Sequence, residues 1–521
     1  MTAPAPAVPR GTTTASGNLV ELLEDTARLL GRAGHTAYVT GERTHSFGQV
    51  YRDAARVAAA YTAHGLGRGD RILLALPDGI DFVHAFLGAL RIGAVAVPVN
   101  AMLHPDELRR AAEIAEPAAI VSAPEFTWLA EPLGIPVVAP HELRAPDGPP
   151  PPYAECTPDT PAFAAFTSGT TGAPKLCFHT HGDAQILDAA AGAALGLEAD
   201  DVAYSVPRMN FAYGLGNSLF FPLLRGSATV LTSSRLAPGD ALEVLEKNGV
   251  SVFYSQPTFF AHMLAHPDAP RVLAGLRLAV VAGEVLPRSL ERQLRAILGE
   301  RLVNVYGTTE IGHALLANRA GSAREFTLGR VLAPYRARVV GEDGRELPPG
   351  TEGRLQLAGP TIGPGVARGS DAPLRLAPHE WYSTSDAATV DEDGFVTVHG
   401  RLDDVEIVAG INVHPAETED TLMAHPAVKE AAVCSVRRDS GASELRAFVV
   451  LREDVTEQEA ATVPGELLTA ARGALTWYKV PHEVVLVPSL PRNPTGKLLR
   501  RGLRALAARQ QQSQQPQGAP S

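Results

Sequence analysis

Short apolar runs bounded by Gly and Pro alternate with longer amphipathic stretches along most of this 521-residue chain. Residues 71–76, 80–90 and 94–99 set the pattern as run, helical-period stretch and run, which predicts a strand, a crossover helix and a parallel strand. One helix can be read in detail. Ser46 and Gln49 have the spacing of a capping box, Phe47, Val50, Ala54, Val57, Ala58 and Tyr61 fall on one face, and Gly65 follows as a stop. A one-sided apolar face of this kind predicts packing against a sheet. Further runs at 228–231, 250–254, 276–282 and 302–306 extend the alternation, so the expected fold class is α/β, with a large N-terminal body of doubly wound, mostly parallel sheets.

The grammar changes near Ala337. Runs at 338–340, 354–357 and 394–398 are short, alternating and separated by Gly-rich turns, which predicts a small antiparallel β-rich subdomain. After Gly400, helical period at 416–424 mixes with strand runs at 432–436, 446–450 and 483–487, a length that suits a separate α+β lobe. The expected organisation is a large domain over 18–400 and a small C-terminal domain over 401–505. The Pro/Ala/Thr-rich start (1–17) and the Gln-rich finish (510–521) are too poor in apolar residues to order themselves and are expected as flexible tails.

Composition narrows the function classes. At 45% hydrophobic and 20% charged the chain reads as soluble and globular, and its length asks for two or more folding units. Forty-six basic against 57 acidic residues give a net charge of -11, which argues against nucleic acid or an anionic membrane as a partner. Cys156, Cys177 and Cys434 are few and far apart, so neither a disulfide framework nor a structural zinc site is indicated and a reducing cytoplasm fits. No secretion signal and no membrane span is read from the sequence.

Four segments could carry chemistry. The first is Thr167-Ser168-Gly169-Thr170-Thr171-Gly172-Ala173-Pro174-Lys175, directly after a strand-like run. Glycine lets backbone N–H groups approach a phosphate, hydroxyls add donors and lysine adds charge, although the lysine spacing is not that of a Walker A loop. A solvated Ser/Thr/Gly turn is the competing reading. The second is Asn304-Val305-Tyr306-Gly307-Thr308-Thr309-Glu310, where a strand end offers a tyrosine to stack a base and Glu310 to hold Mg²⁺, against a core tyrosine and a surface glutamate. The third joins Asp386 to Gly400-Arg401-Leu402-Asp403-Asp404, an Asp and an Arg that could grip a ribose. The fourth, Pro491-Arg492-Asn493-Pro494-Thr495-Gly496-Lys497, is by itself a surface lysine. His179 and His181 form an H-x-H pair with no third ligand in sight, so a metal site is set aside.

In this order and at these separations, the four segments resemble the adenylate-forming superfamily of acyl-CoA synthetases, carrier-loading adenylation domains and luciferases, over residues 19–503. The stretch Asn210-Phe211-Ala212-Tyr213-Gly214-Leu215-Gly216-Asn217 resembles the benzoate-CoA ligase branch, and 400–419 is similar to aryl-CoA ligases acting on halogenated benzoates. The resemblance implies that 167–175 is a mobile loop over the β- and γ-phosphates, with Lys175, and that Gly283 and Glu284 form an adenine slot with Tyr306 and Gly307. It implies that Thr309 meets the α-phosphate, that Glu310 holds Mg²⁺ and that Asp386 and Arg401 bind the ribose. Lys497 would bridge carboxylate and α-phosphate, and Asp403 would be the hinge on which the small lobe swings. Phe211, Ala212, Tyr213, Ala282, Gly312, His313 and Ala314 would line an acyl pocket, and the smallness of Gly312 and Ala314 suggests a larger or more substituted ring than benzoate.

The implied activity is that of an acid-thiol ligase: ATP-dependent activation of an aryl carboxylate as an acyl adenylate, then thioester formation with coenzyme A. The implied cofactors and partners are ATP, Mg²⁺, the aryl acid and CoA or a phosphopantetheine carrier protein, with a homodimer left open. Alternatives are an aryl-AMP ligase loading a carrier, an amine or nitrite in place of thiol or acid, and a nucleotide-binding homologue without turnover. Arg500, Arg501 and Arg504 beside Lys497 are candidates for a CoA-phosphate site, against a solvated basic helix end. Leu176, Ser385 and Ile407 depart from the pattern where relatives carry Gly, Gly and Lys, and the segment 361–379 departs from it without an account.

Overall fold

A computed structural model describes residues 14–100, 105–122, 134–143, 149–167, 175–234, 236–319, 323–366, 374–402, 406–408, 411–437, 443–492, 498–500 and 502–507. The helix Phe47–Ala63 starts at the expected box: Ser46 Oγ accepts from the Gln49 amide (3.3 Å) while Gln49 Oε1 accepts from the Ser46 amide (2.8 Å). Its expected apolar face is buried, and Gly65 beyond it sits at φ +78°. The helix Ile80–Arg91 packs so closely on it that a Cβ on Gly88 would lie 2.7 Å from Val57 Cγ1.

Among the described residues, two mostly parallel sheets form the body. The first runs in the spatial order Arg330–Val331, Ala314–Ala317, Leu302–Gly307, Leu278–Val281, Val252–Ser255, Val202–Ser205, Ala228–Leu231, Thr36–Thr40, Arg43–Ser46; the two strands at one edge and the last strand are antiparallel. The second has the order Val137–Val138, Ala119–Ser122, Arg71–Ala75, Val95–Pro98, Pro161–Thr167, Lys175–Thr180, and closes with an antiparallel hairpin. Strands buried on both faces explain the unbroken apolar runs read from the sequence. A four-stranded antiparallel sheet follows (Arg336–Val340, Gly353–Ala358, Tyr382–Val390, Val396–Arg401), as the change of grammar predicts.

The expected N-terminal tail is too long. Ser16 bonds Glu21 through its amide (3.0 Å) and hydroxyl (2.6 Å), its carbonyl accepts from the Cys156 amide (2.7 Å), and the buried Asn18 caps the helix Leu19–Leu29. Polar groups placed on specific partners order this stretch despite its poverty in apolar residues. Cys177 and Cys434 are buried and Cys156 half-buried, all of them unpaired. No helix among the described residues is long and apolar enough to cross a membrane.

The C-terminal part has cores of its own: Val408, Val413, Leu422, Val433, Leu445, Val449 and Leu467 in one cluster, Cys434, Phe448, Leu490 and Leu503 in another. Its meeting with the body is polar. His262 Nε2 lies 2.8 Å from Glu430 Oε1, whose other oxygen takes Arg492 (2.5 Å); Ser289 donates to Asp420; His414 Nε2 lies 2.7 Å from Glu352. Burial alone would raise the Glu430 carboxyl, but the hydrogen bonds and charges of His262 and Arg492 hold it at about 2. The carboxylate is therefore ionised at every pH above about 2, and its contribution is lost only as pH falls through that value. Glu430→Gln is expected to speed release of the C-terminal part in limited proteolysis at pH 7 by about fivefold, the effect of roughly 1 kcal/mol. Release at the wild-type rate would show that the contact contributes nothing.

Candidate active site

The strands Pro161–Thr167 and Lys175–Thr180 place Thr167 directly opposite Lys175. The loop they bracket, with Ser168, Gly169, Thr170, Thr171 and Gly172, lies outside the described residues. Thr167 Oγ1 lies 3.4 Å from Glu310 Oε1, so the end of this hairpin meets the turn that follows the strand Leu302–Gly307. Tyr382 also approaches the Glu310 carboxylate; burial, with that charge and hydrogen bond, pushes its hydroxyl well above the ordinary tyrosine range.

The turn itself is held from behind. The Ile311 and Gly312 amides donate to the Thr308 carbonyl (3.1 and 3.2 Å). Three consecutive carbonyls then find three donors: His179 Nε2 faces Thr309 O at 2.9 Å, the Gly363 amide donates to Glu310 O (2.8 Å), and Thr361 Oγ1 donates to Ile311 O (2.8 Å). The backbone is tied on its inner side while the side chains of Thr309 and Glu310 remain only half-buried.

The two residues expected to bind a ribose come together. Asp386 and Arg401 stand opposite each other across the strands Tyr382–Val390 and Val396–Arg401. The Tyr306 hydroxyl donates to Asp386 Oδ2 (2.5 Å), and burial followed by the Asp386 charge raises that tyrosine well above its usual range. Gly307 must be glycine, because a Cβ there would lie 1.9 Å from the His313 carbonyl oxygen. Gly283 follows the strand Leu278–Val281 at φ +91°, a conformation that favours glycine. The Glu284 carboxylate accepts through Oε2 from the Thr258 amide (3.2 Å) and hydroxyl (2.7 Å) at the start of the helix Pro257–Leu264.

Of the residues expected to line an acyl pocket, Tyr213 packs directly on His313. The His313 ring tilts on Tyr213 (4.9 Å between centroids) and meets Phe221 edge-on (4.5 Å); Tyr213 meets Tyr254 edge-on (6.3 Å). His313 Nε2 lies 2.9 Å from Asn217 Oδ1, and Asn217 donates onward to Ser205. Burial alone lowers His313 to about 3, so the ring is neutral, with Nδ1 buried and unpartnered. Glycines make the cluster fit: a Cβ on Gly216 would lie 2.4 Å from His313 Cδ2, and one on Gly214 2.0 Å from the Arg208 carbonyl oxygen. Asp78 holds the preceding loop through the Met209 amide (3.1 and 3.2 Å). Phe211 is half-buried, whereas Ala212, Ala282 and Ala314 are buried. Gly312 does not enlarge the pocket, contrary to expectation. At φ +95° its missing Cβ makes room for His179, whose Cε1 a side chain would approach to 3.0 Å, and the case for a bulkier ring therefore rests on Ala314.

Lys497 and Asp403 lie outside the described residues, as does Arg501. Arg500 forks onto Glu419 (2.8 and 3.0 Å) and Arg504 donates to the buried Glu406 (2.8 Å), so these two candidates for a CoA-phosphate site are engaged internally. His179 and His181 are both buried, His181 Nδ1 accepting from the Leu19 amide (3.0 Å); among the described residues no group of metal-ligating side chains forms. Leu176 is buried against Leu73, Ile120, Ala164 and Val366 and exchanges backbone bonds with Val366 (3.0 and 2.9 Å), which accounts for an apolar residue in place of glycine. Sequence reasoning missed the supports: Asn217, Thr258, Thr361, Gly363, Asp183 and Arg375. The i,i+4 spacing of His179 and Asp183 was visible, but nothing in the sequence ties Arg375 to them.

The sequence pattern of a family described as AMP-binding enzyme matches residues 25–369, and that of the AMP-binding enzyme C-terminal domain matches 417–497. The chain is 38% identical over 494 residues to the p-hydroxybenzoic acid–AMP ligase FadD22 of Mycobacterium tuberculosis, covering 94% of this chain and 69% of that one. It is 33% identical to the benzoate–CoA ligase of Thauera aromatica, covering 92% and 94%. Among solved structures it superposes on the anthranilate CoA ligase AuaEII in complex with anthranoyl-AMP with a TM-score of 0.86 at 29% identity, covering 94% and 98%.

Three histidines, His181 and His313 buried and His84 half-buried, set an acid dependence. Burial lowers His84 and His181 to about 4 and His313 to about 3, so below about 6.5 the unfolded chain takes up protons that the folded chain refuses. Asp78, raised by burial to about 6, acts in the opposite sense because the folded state protonates it first. The histidines outnumber it, and stability to urea is expected to fall from pH 6.5 to 4.5, with a slope of about 1.4 kcal/mol per pH unit for each proton. His181→Gln should flatten the slope by up to one proton's worth; an unchanged slope would mean that the ring titrates normally in the folded state.

Proposed function

The chain belongs to the AMP-binding enzymes, and from that premise we propose that it activates an aromatic carboxylic acid with ATP and passes the acyl group to the thiol of coenzyme A. The observation that carries the reading is the convergence of Thr167, Glu310 and Tyr382 at one strand end with Tyr306, Asp386 and Arg401 beside it. The relatives named above act on p-hydroxybenzoic acid, benzoate and anthranilate, all aryl carboxylates, and the aromatic cluster of Tyr213, Phe221 and His313 suits a flat ring.

The chemistry follows from leaving groups. A carboxylate is a poor acyl donor because oxide leaves badly. In the first step a carboxylate oxygen bonds the α-phosphorus and the bond to pyrophosphate breaks, and Thr309, Lys175 and Lys497 are the residues assigned to meet the developing charge. Glu310 fits magnesium in donor type and access, as a half-buried carboxylate with the Thr167 hydroxyl beside it; bound there, the ion would offset phosphate charge. In the second step the thiol, losing its proton, bonds the acyl carbon and AMP departs. Asp403 serves as the pivot that withdraws Lys497 between the steps.

A second reading, transfer to a phosphopantetheine carrier protein, has its own support. Arg500 and Arg504 are already paired with Glu419 and Glu406, and one relative is an aryl-AMP ligase.

Acid-dependent ATP/pyrophosphate exchange tests the first step whatever the acceptor. Benzoates bearing a small ring substituent are expected to support exchange and medium-chain fatty acids are not; exchange with no aryl acid would overturn the reading. Lys497→Ala is expected to abolish exchange yet to form thioester from supplied acyl adenylate, and Asp403→Pro to do the reverse. Loss of both half-reactions in the lysine variant would refute its assigned role.

A further inference from the structure

The described parts of the segment 361–379, residues 361–366 and 374–379, lie behind the Thr309–Ile311 turn. Arg375 is their centre. The guanidinium donates to the Pro360 carbonyl through Nε (2.7 Å), to Thr180 Oγ1 (2.8 Å) and to Asp183 Oδ1. It thereby joins the two pieces of chain that supply the three donors to the turn: the end of the strand Lys175–Thr180, which carries His179, and the stretch that carries Thr361 and Gly363.

The charges continue inward. Asp183 is fully buried and accepts from Thr180 N (3.2 Å) and Thr180 Oγ1 (2.9 Å) as well as from Arg375. Its Oδ2 lies 3.3 Å from Nδ1 of the equally buried His179, whose Nε2 faces the Thr309 carbonyl. Both ring nitrogens thus face oxygens that only accept, so His179 links the Asp183 carboxylate to the Thr309 carbonyl. Phe163 stacks on one face of the ring at 4.9 Å, and Gly312 has no side chain to push it away.

We propose that Arg375, Asp183 and His179 form a clasp that positions Thr309 and Glu310 for adenylate formation. The inference rests on the proposed adenylation chemistry. None of the three need touch substrate; they are positioning residues, acting through the backbone of 309–311. A hydroxyl and a carboxylate that must meet phosphate oxygens tolerate little error, and a displacement of about 1 Å lowers rates by about 100-fold.

The test compares His179→Phe, which keeps a stacking ring but no donor, with His179→Gln, whose amide can still donate to Thr309 O, and with Arg375→Met. Hydrogen exchange of the Ile311 and Gly312 amides, read without substrate, is expected to speed up at least tenfold in His179→Phe and Arg375→Met. In pyrophosphate exchange the same variants should lose about 100-fold in kcat with the KM for ATP within about threefold of wild type, and His179→Gln should recover to within about tenfold. Unchanged amide exchange in both variants would overturn the clasp whether or not the enzyme activates an aryl acid. Faster amide exchange with wild-type kcat, or a His179→Gln no better than His179→Phe, would refute the positioning role. A wild-type protein that exchanges with no acid would sink the adenylation reading, and with it the catalytic part of this one.

Discussion

A turn that presents a hydroxyl and a carboxylate at the end of a buried strand turns its carbonyls back into the protein, where water cannot satisfy them. The carbonyls of Thr309, Glu310 and Ile311 meet this constraint with His179, Gly363 and Thr361, donors drawn from chain far away in sequence. Those donors fix how the two large sheets sit together at this point, because His179 belongs to the edge hairpin of one sheet while the turn grows from a strand of the other. Leu176 belongs to the same arrangement: its backbone pairing with Val366 holds the donor segment along the hairpin, and its buried side chain seals the join.

What could be read from the sequence was what local rules control. The capping box at Ser46, the apolar face of that helix, the strand runs and the switch to short antiparallel strands each follow from spacing within a few residues. The recurring family segments likewise led to Thr167, Tyr306, Glu310, Asp386 and Arg401, which the fold does gather. The residues that escaped reading are those whose meaning depends on distant partners. Arg375 looks like an isolated surface cation in sequence, and its carboxylate partner lies 192 residues away. Ser16 sits in a stretch whose composition suggests disorder, yet it bonds the Glu21 carboxylate (2.6 Å) and accepts from the Cys156 amide (2.7 Å). Composition measures how much apolar surface a segment can bury, and it is silent about a few well-placed polar bonds.

Glycine illustrates the same division. Gly214, Gly216, Gly307 and Gly312 can be taken from sequence as loop residues or as space for a substrate, but each is small for a neighbour of its own. The imidazole of His313 occupies the volume a Cβ on Gly216 would take, and that of His179 lies where one on Gly312 would point. Two buried histidines therefore determine the glycines around them. His313 is held neutral by burial, with one nitrogen given to Asn217, and so forms a wall of the aromatic cluster with little electrostatic disturbance. His179 faces acceptors on both sides, the Asp183 carboxylate and the Thr309 carbonyl, and is held by those two partners.

The join between the body and the C-terminal part obeys a different rule. Each side has an apolar core of its own, and polar links between them among the described residues include Glu430 with His262, Asp420 with Ser289, and His414 with Glu352. Polar partners at a surface exchange for water at little net cost, since each lost bond is replaced by one to solvent, whereas separating an apolar face would expose surface with no such replacement. An interface built this way can define one orientation without trapping it. That is the property a lobe needs if it must first present a lysine and then withdraw it, and the pairs Arg500 with Glu419, Arg504 with Glu406 and Arg492 with Glu430 lie inside the lobe, where a change of its orientation would leave them intact.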